Sequence, residues 1–397
     1  MIDKGAVVTA LNAALQSYER IEVSSLPDWP GAQRPIITLN PKDSADFRAV
    51  LKAQADLEIF DDRMQQLGGI GTRVTLDQLA IWLIERALQV GSDQTVADLS
   101  RYVADQRFLV TEVVALSGIV PEQAFDLGDG IQLVPISNVP SCPQREMLLR
   151  KKSGADVTMS PSASAALLCQ TRWPVNHSGT MAAISASRAA DLEDARHVIT
   201  AVGPSAPIRI IAWEIVPADV PLSNRSFGWT HQLGGGDSNP ASFRGLTSDD
   251  LQTVRALRTF FASGTKREKD HLRVALDRLN RSLRGVVPVD KAIDLGICLE
   301  AIFLNEPEMT GELSFRLRVR ASRYLATDAG ERDRISDAMG VLYGLRSEAV
   351  HAGRFRRMVI NGTPVATVLE NGAQLAATAI RKMILEGLPD WQKVIHQ

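Results

Sequence analysis

From Leu246 onward the chain is punctuated like a helical bundle, and this constrains its fold more than any other feature. Apolar residues at helical spacing predict segments at about 249–262, 267–284, 288–305, 312–326, 331–351 and 371–387. The breaks between them contain Gly264, Gly285 with Pro288, the stretch 307–311, Gly330 and Gly353. Thr247 or Ser248 can cap the first helix, and Asp249 and Asp250 suit the positive end of its dipole. Asn361-Gly362 predicts a turn in a short β-like excursion around Arg357 to Ile360.

Residues 1–245 have another texture. Helical spacing is read over 43–66 and 76–90, and again over 188–202. Segments 109–116, 165–169 and 208–216 read as strands, and 125–134 as a hairpin turning at Gly128-Asp129-Gly130. The stretch 217–245 is rich in Pro, Gly, Ser and Asn, with Gly234-Gly235-Gly236-Asp237 at its centre, and reads as a linker. The expected fold class is α+β: a mixed α/β region over 1–245, then an all-α bundle over 246–397.

Composition serves mainly to exclude. Hydrophobic residues make up 45% and charged residues 23%, as in globular proteins. No apolar run approaches the roughly 20 residues of a membrane-spanning helix, and Met1-Ile2-Asp3-Lys4 does not read as a basic leader before an apolar stretch, so no secretory signal is expected. Cys142, Cys169 and Cys298 are too few and scattered for a disulfide framework, which fits a cytoplasmic protein. The net charge of −2 divides into −6 over residues 1–248 and +4 over 249–397. A basic C-terminal part permits phosphate contact without demanding it.

Common cofactor motifs are absent. There is no Walker A loop, no HExxH and no paired CxxC. Gly68-Gly69-Ile70-Gly71 follows a predicted helix and reads as a plain turn. His177, His197, His231, His271 and His396 have no partner at metal-ligand spacing. Neither a metal nor a cofactor is expected.

One segment stands apart: Leu342-Tyr343-Gly344-Leu345-Arg346-Ser347-Glu348-Ala349-Val350-His351-Ala352-Gly353. On a helix, Ile335, Met339, Leu342 and Val350 fall on one stripe, with Arg346 projecting from its middle. An arginine facing a core needs an anionic partner or a polar cleft. His351 lies five positions later, near the helix end that Gly353 signals. In the helix over 288–305, Ile293, Ile297 and Leu304 share a face with Glu300. Two readings stay open: Glu300 and Arg346 simply neutralise each other, or Glu300 orients Arg346 or His351 for catalysis.

Three ordered blocks, over 294–304, 312–321 and 342–353, resemble an ApeA-type HEPN domain, with the likeness reaching over about 246–390. The signature of that family is Arg, a polar residue, a few more residues, then His. Arg346-Ser347 followed by His351 fits it with four residues between the arginine and the histidine, and Ala352 before Gly353 departs from the Gly-Gly or Gly-acidic pair often found there. The resemblance implies metal-independent RNA cleavage by a homodimer formed through the helical domain, in a toxin or an antiviral-defence effector. Arg346, Ser347 and His351 are then the expected catalytic residues, and Glu300 and Tyr343 support them. Arg316, Arg320 and Arg323 recur at i, i+4 and i+7 as a basic ridge, and Arg354 and Arg356 follow His351 closely. These five are the candidate RNA contacts. A module that binds RNA or a nucleotide without cutting is the alternative. Residues 1–245 are expected to answer to a trigger ligand or protein.

Overall fold

The computed structural model describes residues 2–21, 36–39, 41–67, 70–105, 107–149, 163–174, 181–223, 229–230, 243–304 and 311–396. The Gly234–Asp237 linker centre, residues 307–310, His177 and His231 fall outside them.

The chain opens with α1 (Lys4–Ala14), a hairpin of β1 (Tyr18–Ile21) and β2 (Ile36–Leu39), then α2 (Pro41–Lys52). A second hairpin of β3 (Arg63–Leu67) and β4 (Ile70–Val74) leads into α3 (Leu76–Val90) and α4 (Ser92–Asp105). Asp3 accepts the Ala6 N–H at 3.1 Å and so caps α1, while Thr75 and Gln78 close a capping box on α3. Leu11, Leu51, Phe60, Leu79, Trp82 and Leu99 bury together as the core of this lobe.

Two expectations are corrected here. The helix over 43–66 stops at Lys52, and Asp62, in left-handed backbone at φ 60°, turns the chain into β3. The glycine-rich segment therefore follows a strand, not a helix. Gly68 and Gly69 themselves fall outside the described residues, and β3 and β4 pair antiparallel on either side of them, with Leu67 opposite Ile70.

Next come β5 (Arg107–Ser117), β6 (Ile119–Pro121), β7 (Phe125–Asp126), β8 (Ile131–Pro135), α5 (Pro143–Leu149), β9 (Ala165–Pro174), α6 (Met181–Thr200), β10 (Ile208–Ile215), β11 (Trp229–Thr230) and β12 (Arg244–Leu246). Six of the strands form an antiparallel sheet in the order β11-β10-β5-β9-β8-β7. The expected hairpin is present: Gly128, Asp129 and Gly130 all take positive φ between β7 and β8. Alternation along β5 assigns two faces. Val113 and Ala115 pack with Trp213 and Leu168 on one face. On the other, Val114 and Leu116 join the bundle core, and Phe108 and Val110 join the N-terminal core. Glu112 stands between those two groups.

The bundle comprises α7 (Ser248–Ser263), α8 (Lys266–Arg284), α9 (Pro288–Phe303), α10 (Leu313–Leu325), α11 (Ala329–Ala352), the hairpin β13 (Val359–Ile360) and β14 (Thr363–Pro364), α12 (Val365–Glu386) and α13 (Trp391–His396). Thr247 with Asp250, and Thr265 with Glu268, form capping boxes. Asn361 and Gly362 both take positive φ at the β13–β14 turn, as Asn-Gly in a hairpin should. Helix α9 is central, packing on α8, α10, α11 and α12.

One apolar cluster crosses residue 245. It runs from Leu116, Leu133 and Leu167 of the sheet, through Leu192 and Val198 of α6, to Leu257, Leu276, Leu299 and Ile380 of the bundle. Buried Arg258 of α7 ties the two parts together, donating to the Leu127 carbonyl at 2.7 Å and to Asp129 at 3.0 Å. No described helix is long and apolar enough to cross a membrane.

Candidate active site

The site is built where α11 crosses α9. Ile335, Met339, Leu342, Leu345 and Ala349 form the buried face of α11. The stripe expected through Val350 is corrected: Val350 is 47% exposed, because a 3.6-residue repeat carries the buried face from Leu342 to Leu345 and Ala349. Arg346 consequently lies at the margin of the buried face, half-buried, instead of at its centre.

Two glycines set this crossing. A Cβ placed on Gly296 of α9 would lie 2.8 Å from Arg346 Cβ and nearer still to Cγ. The arginine stem therefore runs across the backbone of α9 in a slot that only glycine leaves open. One turn along, Leu342 seats on Gly372 of α12, where an added Cβ would approach its methyl carbons to 2.7 and 2.8 Å. The slot delivers the guanidinium to Glu300, four residues after Gly296 on α9. Arg346 Nη2 donates to Glu300 Oε2 at 3.2 Å, with both side chains about one-quarter exposed. No other hydrogen bond from described residues holds the guanidinium, and Arg346 Nε is buried without a partner.

Ser347 is half-buried beside Arg346, and His351 is exposed on the last turn of α11. Gly353, at φ 62°, caps that helix and sends the chain away. Glu348 accepts the Arg356 backbone N–H at 2.9 Å, which folds the segment after Gly353 back toward α11. Tyr343 is half-buried and packs on the bundle core. The structure thus unites Glu300 with Arg346 and places Ser347 and His351 on the same end of α11.

The basic ridge is only partly present. Arg323, Arg354 and Arg356 are exposed, and Arg316 is half-buried. Arg320 is corrected: it is 2% exposed, donates Nη1 to the Phe303 carbonyl at 2.8 Å, and lies 5.1 Å above the Trp391 ring. It closes the C-terminal end of α9 and is not available to a polyanion. Even spacing along a helix could not reveal this, since both partners lie on other elements.

Among the described residues, no group of three or more His, Cys, Asp or Glu side chains is placed to hold a metal ion. Comparison with protein families, curated proteins and solved structures returns no match for this chain.

Proposed function

We propose that this chain is a metal-independent endoribonuclease of HEPN type, acting in the cytoplasm as a homodimer through its helical bundle, as a toxin or antiviral-defence effector. One observation carries the reading. Arg346 is threaded through the Gly296 slot onto a carboxylate, and among the described residues no hydrogen bond ties down Ser347 or His351 at the same helix end.

In this reading the substrate's own 2′-hydroxyl attacks the adjacent phosphorus and expels the 5′-oxygen. The products are a 2′,3′-cyclic phosphate and a 5′-hydroxyl. His351 takes the 2′ proton or supplies one to the leaving oxygen, a task suited to imidazole near neutral pH. The Arg346 fork stabilises the charge of the pentacoordinate phosphorus, and Ser347 donates to a phosphate oxygen. Glu300 keeps Arg346 oriented, and Tyr343 lines the cleft. Arg316, Arg323, Arg354 and Arg356 attract the RNA backbone. One Arg–His pair neutralises little phosphate charge, whereas two pairs across a two-fold axis build a composite cleft.

The test is cleavage of total RNA by the purified full chain in EDTA, with mapping of product ends and sedimentation at micromolar concentration. Arg346→Ala and His351→Ala should each abolish cleavage with the fold intact, and the active species should be a dimer. Normal cleavage by a folded double variant refutes the assignment. A second reading, an RNA- or nucleotide-binding module with a ligand-sensing N-terminal region, is favoured by the lack of any described hydrogen bond orienting His351. RNA binding without cleavage would select it.

A further inference from the structure

The segment that leaves α11 carries positive charge that the chain itself does not answer. No aspartate or glutamate occurs over 349–369, while Arg354, Arg356 and Arg357 fall within four positions. Arg354 and Arg357 are exposed, and no described residue pairs with either of them. The Arg356 side chain is 87% exposed and only approaches Glu348, at 3.9 Å. Like charges this close repel one another. The backbone nevertheless holds them together: Phe355 and Ile360 pack on the bundle core, and Glu348 accepts the Arg356 N–H at 2.9 Å. The Val365 N–H donates to the Met358 carbonyl at 2.9 Å, and the Asn361-Gly362 turn closes the hairpin. Glu348 stands one turn before His351 on α11, so the hairpin is fastened beside the candidate catalytic residues.

The outer surface of the hairpin is not only basic. Met358 and Val359 are both more than half exposed. Alternation along β13 turns Ile360 to the core and Val359 away from it. A fixed cluster of guanidiniums with apolar side chains among them fits a polyanion that also offers flat apolar faces. An unpaired nucleic acid strand has both, a phosphate at each step and a base free to leave the stack. A duplex keeps its bases inside and would set Met358 and Val359 against sugar and phosphate.

We propose that the β13–β14 hairpin is a platform for single-stranded RNA, on which Arg354, Arg356 and Arg357 hold successive phosphates and Met358 and Val359 underlie an unstacked base. This role rests on the ribonuclease reading above and adds a substrate class to it. The chemistry points the same way. Attack by a 2′-hydroxyl requires its oxygen, the phosphorus and the departing 5′-oxygen to come into line, and a base-paired backbone holds them out of line. An unpaired strand pinned beside His351 is free to reach that alignment.

The test uses the full chain and a short 2′-O-methyl RNA, which cannot be cut by this route. Fluorescence anisotropy should show the single strand bound about tenfold more tightly than its duplex. Arg354→Gln with Arg357→Gln should weaken strand binding and lower the slope of log affinity against log salt by about 1.4, which is roughly 0.7 per phosphate contact. Met358→Ser with Val359→Ser should cost about tenfold in strand affinity at unchanged slope, and should erase the preference over duplex. Circular dichroism checks the fold of each, and should one double variant misfold, the other decides. Duplex bound as tightly as the strand, wild-type binding by a folded double variant, or a preference for anionic lipid vesicles over the strand would overturn the proposal. Cleavage of total RNA is scored separately. Strand preference without cleavage by any chain fails the ribonuclease reading alone, and cleavage without strand preference fails the platform alone.

Discussion

Replacing Gly296 by alanine tests whether the site is shaped by the absence of a side chain. Helix propensity alone favours the change by about 1 kcal/mol, because glycine within a helix loses more backbone freedom than alanine. Packing opposes it. The new methyl would sit 2.8 Å from Arg346 Cβ and closer to Cγ, and α9 is locked among four neighbouring helices. Overpacking of this kind costs about 1–3 kcal/mol. Displacing Arg346 from Glu300 adds roughly 0.5–1 kcal/mol for a partly exposed pair. The net expectation is a loss of about 0.5–3 kcal/mol, accompanied by loss of whatever activity depends on Arg346. Urea unfolding of a four-member cycle (wild type, Gly296→Ala, Arg346→Ala and the double variant) separates the contributions. Once the arginine stem is gone, Gly296→Ala should become neutral or stabilising by up to about 1 kcal/mol. The same cost in both backgrounds would show that Arg346 does not occupy the slot, and the reasoning would fail.

Arg320→Met should cost about 2–4 kcal/mol, since it strips a buried carbonyl of its charged donor, whereas Arg323→Ala should stay within about 0.5 kcal/mol. Chemical denaturation checks both, and a fully stable Arg320→Met that binds RNA more weakly would return this arginine to the basic ridge. His197, on α6, is buried beside Arg196 and pushed down to about 4 by burial and then by that guanidinium. It is neutral when folded, so its contribution is complete above about 6.5 and is lost as pH falls toward 4, a difference of about 3 kcal/mol. Unfolding of the wild type and His197→Gln at pH 4.5 and 7 should show a shallower acid loss in the variant, and matching slopes would exclude the histidine as a cause.

What the sequence made legible was mostly local. The Thr247 cap, the Gly128–Gly130 turn, the Asn361-Gly362 turn and the bundle helices each depend on residues within a few positions of one another. Helix α4 went unread because polar side chains occupy its buried face: Thr95 is fully buried, and Asp98, 1% exposed, is held by Arg86 and Arg101. Pattern reading treats such residues as solvent-facing. At the site, Glu300 and Arg346 could be proposed as opposite charges aimed at one core, and they do meet. The Gly296 slot could not be seen, because a missing side chain signals nothing until the helix that crosses it is known. Arg320 was misplaced for the reverse reason: its acceptor and its ring partner lie 17 residues before it and at Trp391.

The link from Arg258 back to Leu127 spans 131 residues, and it bears on how the chain is made. A ribosome releases the sheet and α6 well before α7, so the side of α6 bearing Leu192 and Val198 first meets water with its covering helices still unmade. A nascent or truncated chain displays that surface to chaperones and proteases, while Arg346 and His351 have yet to be translated. A fragment cut from the other end fares no better, since helices α7 and α8 then lose the layer they rest on. Either part made alone exposes apolar surface that the other covers, so the chemistry proposed for α11 depends on both.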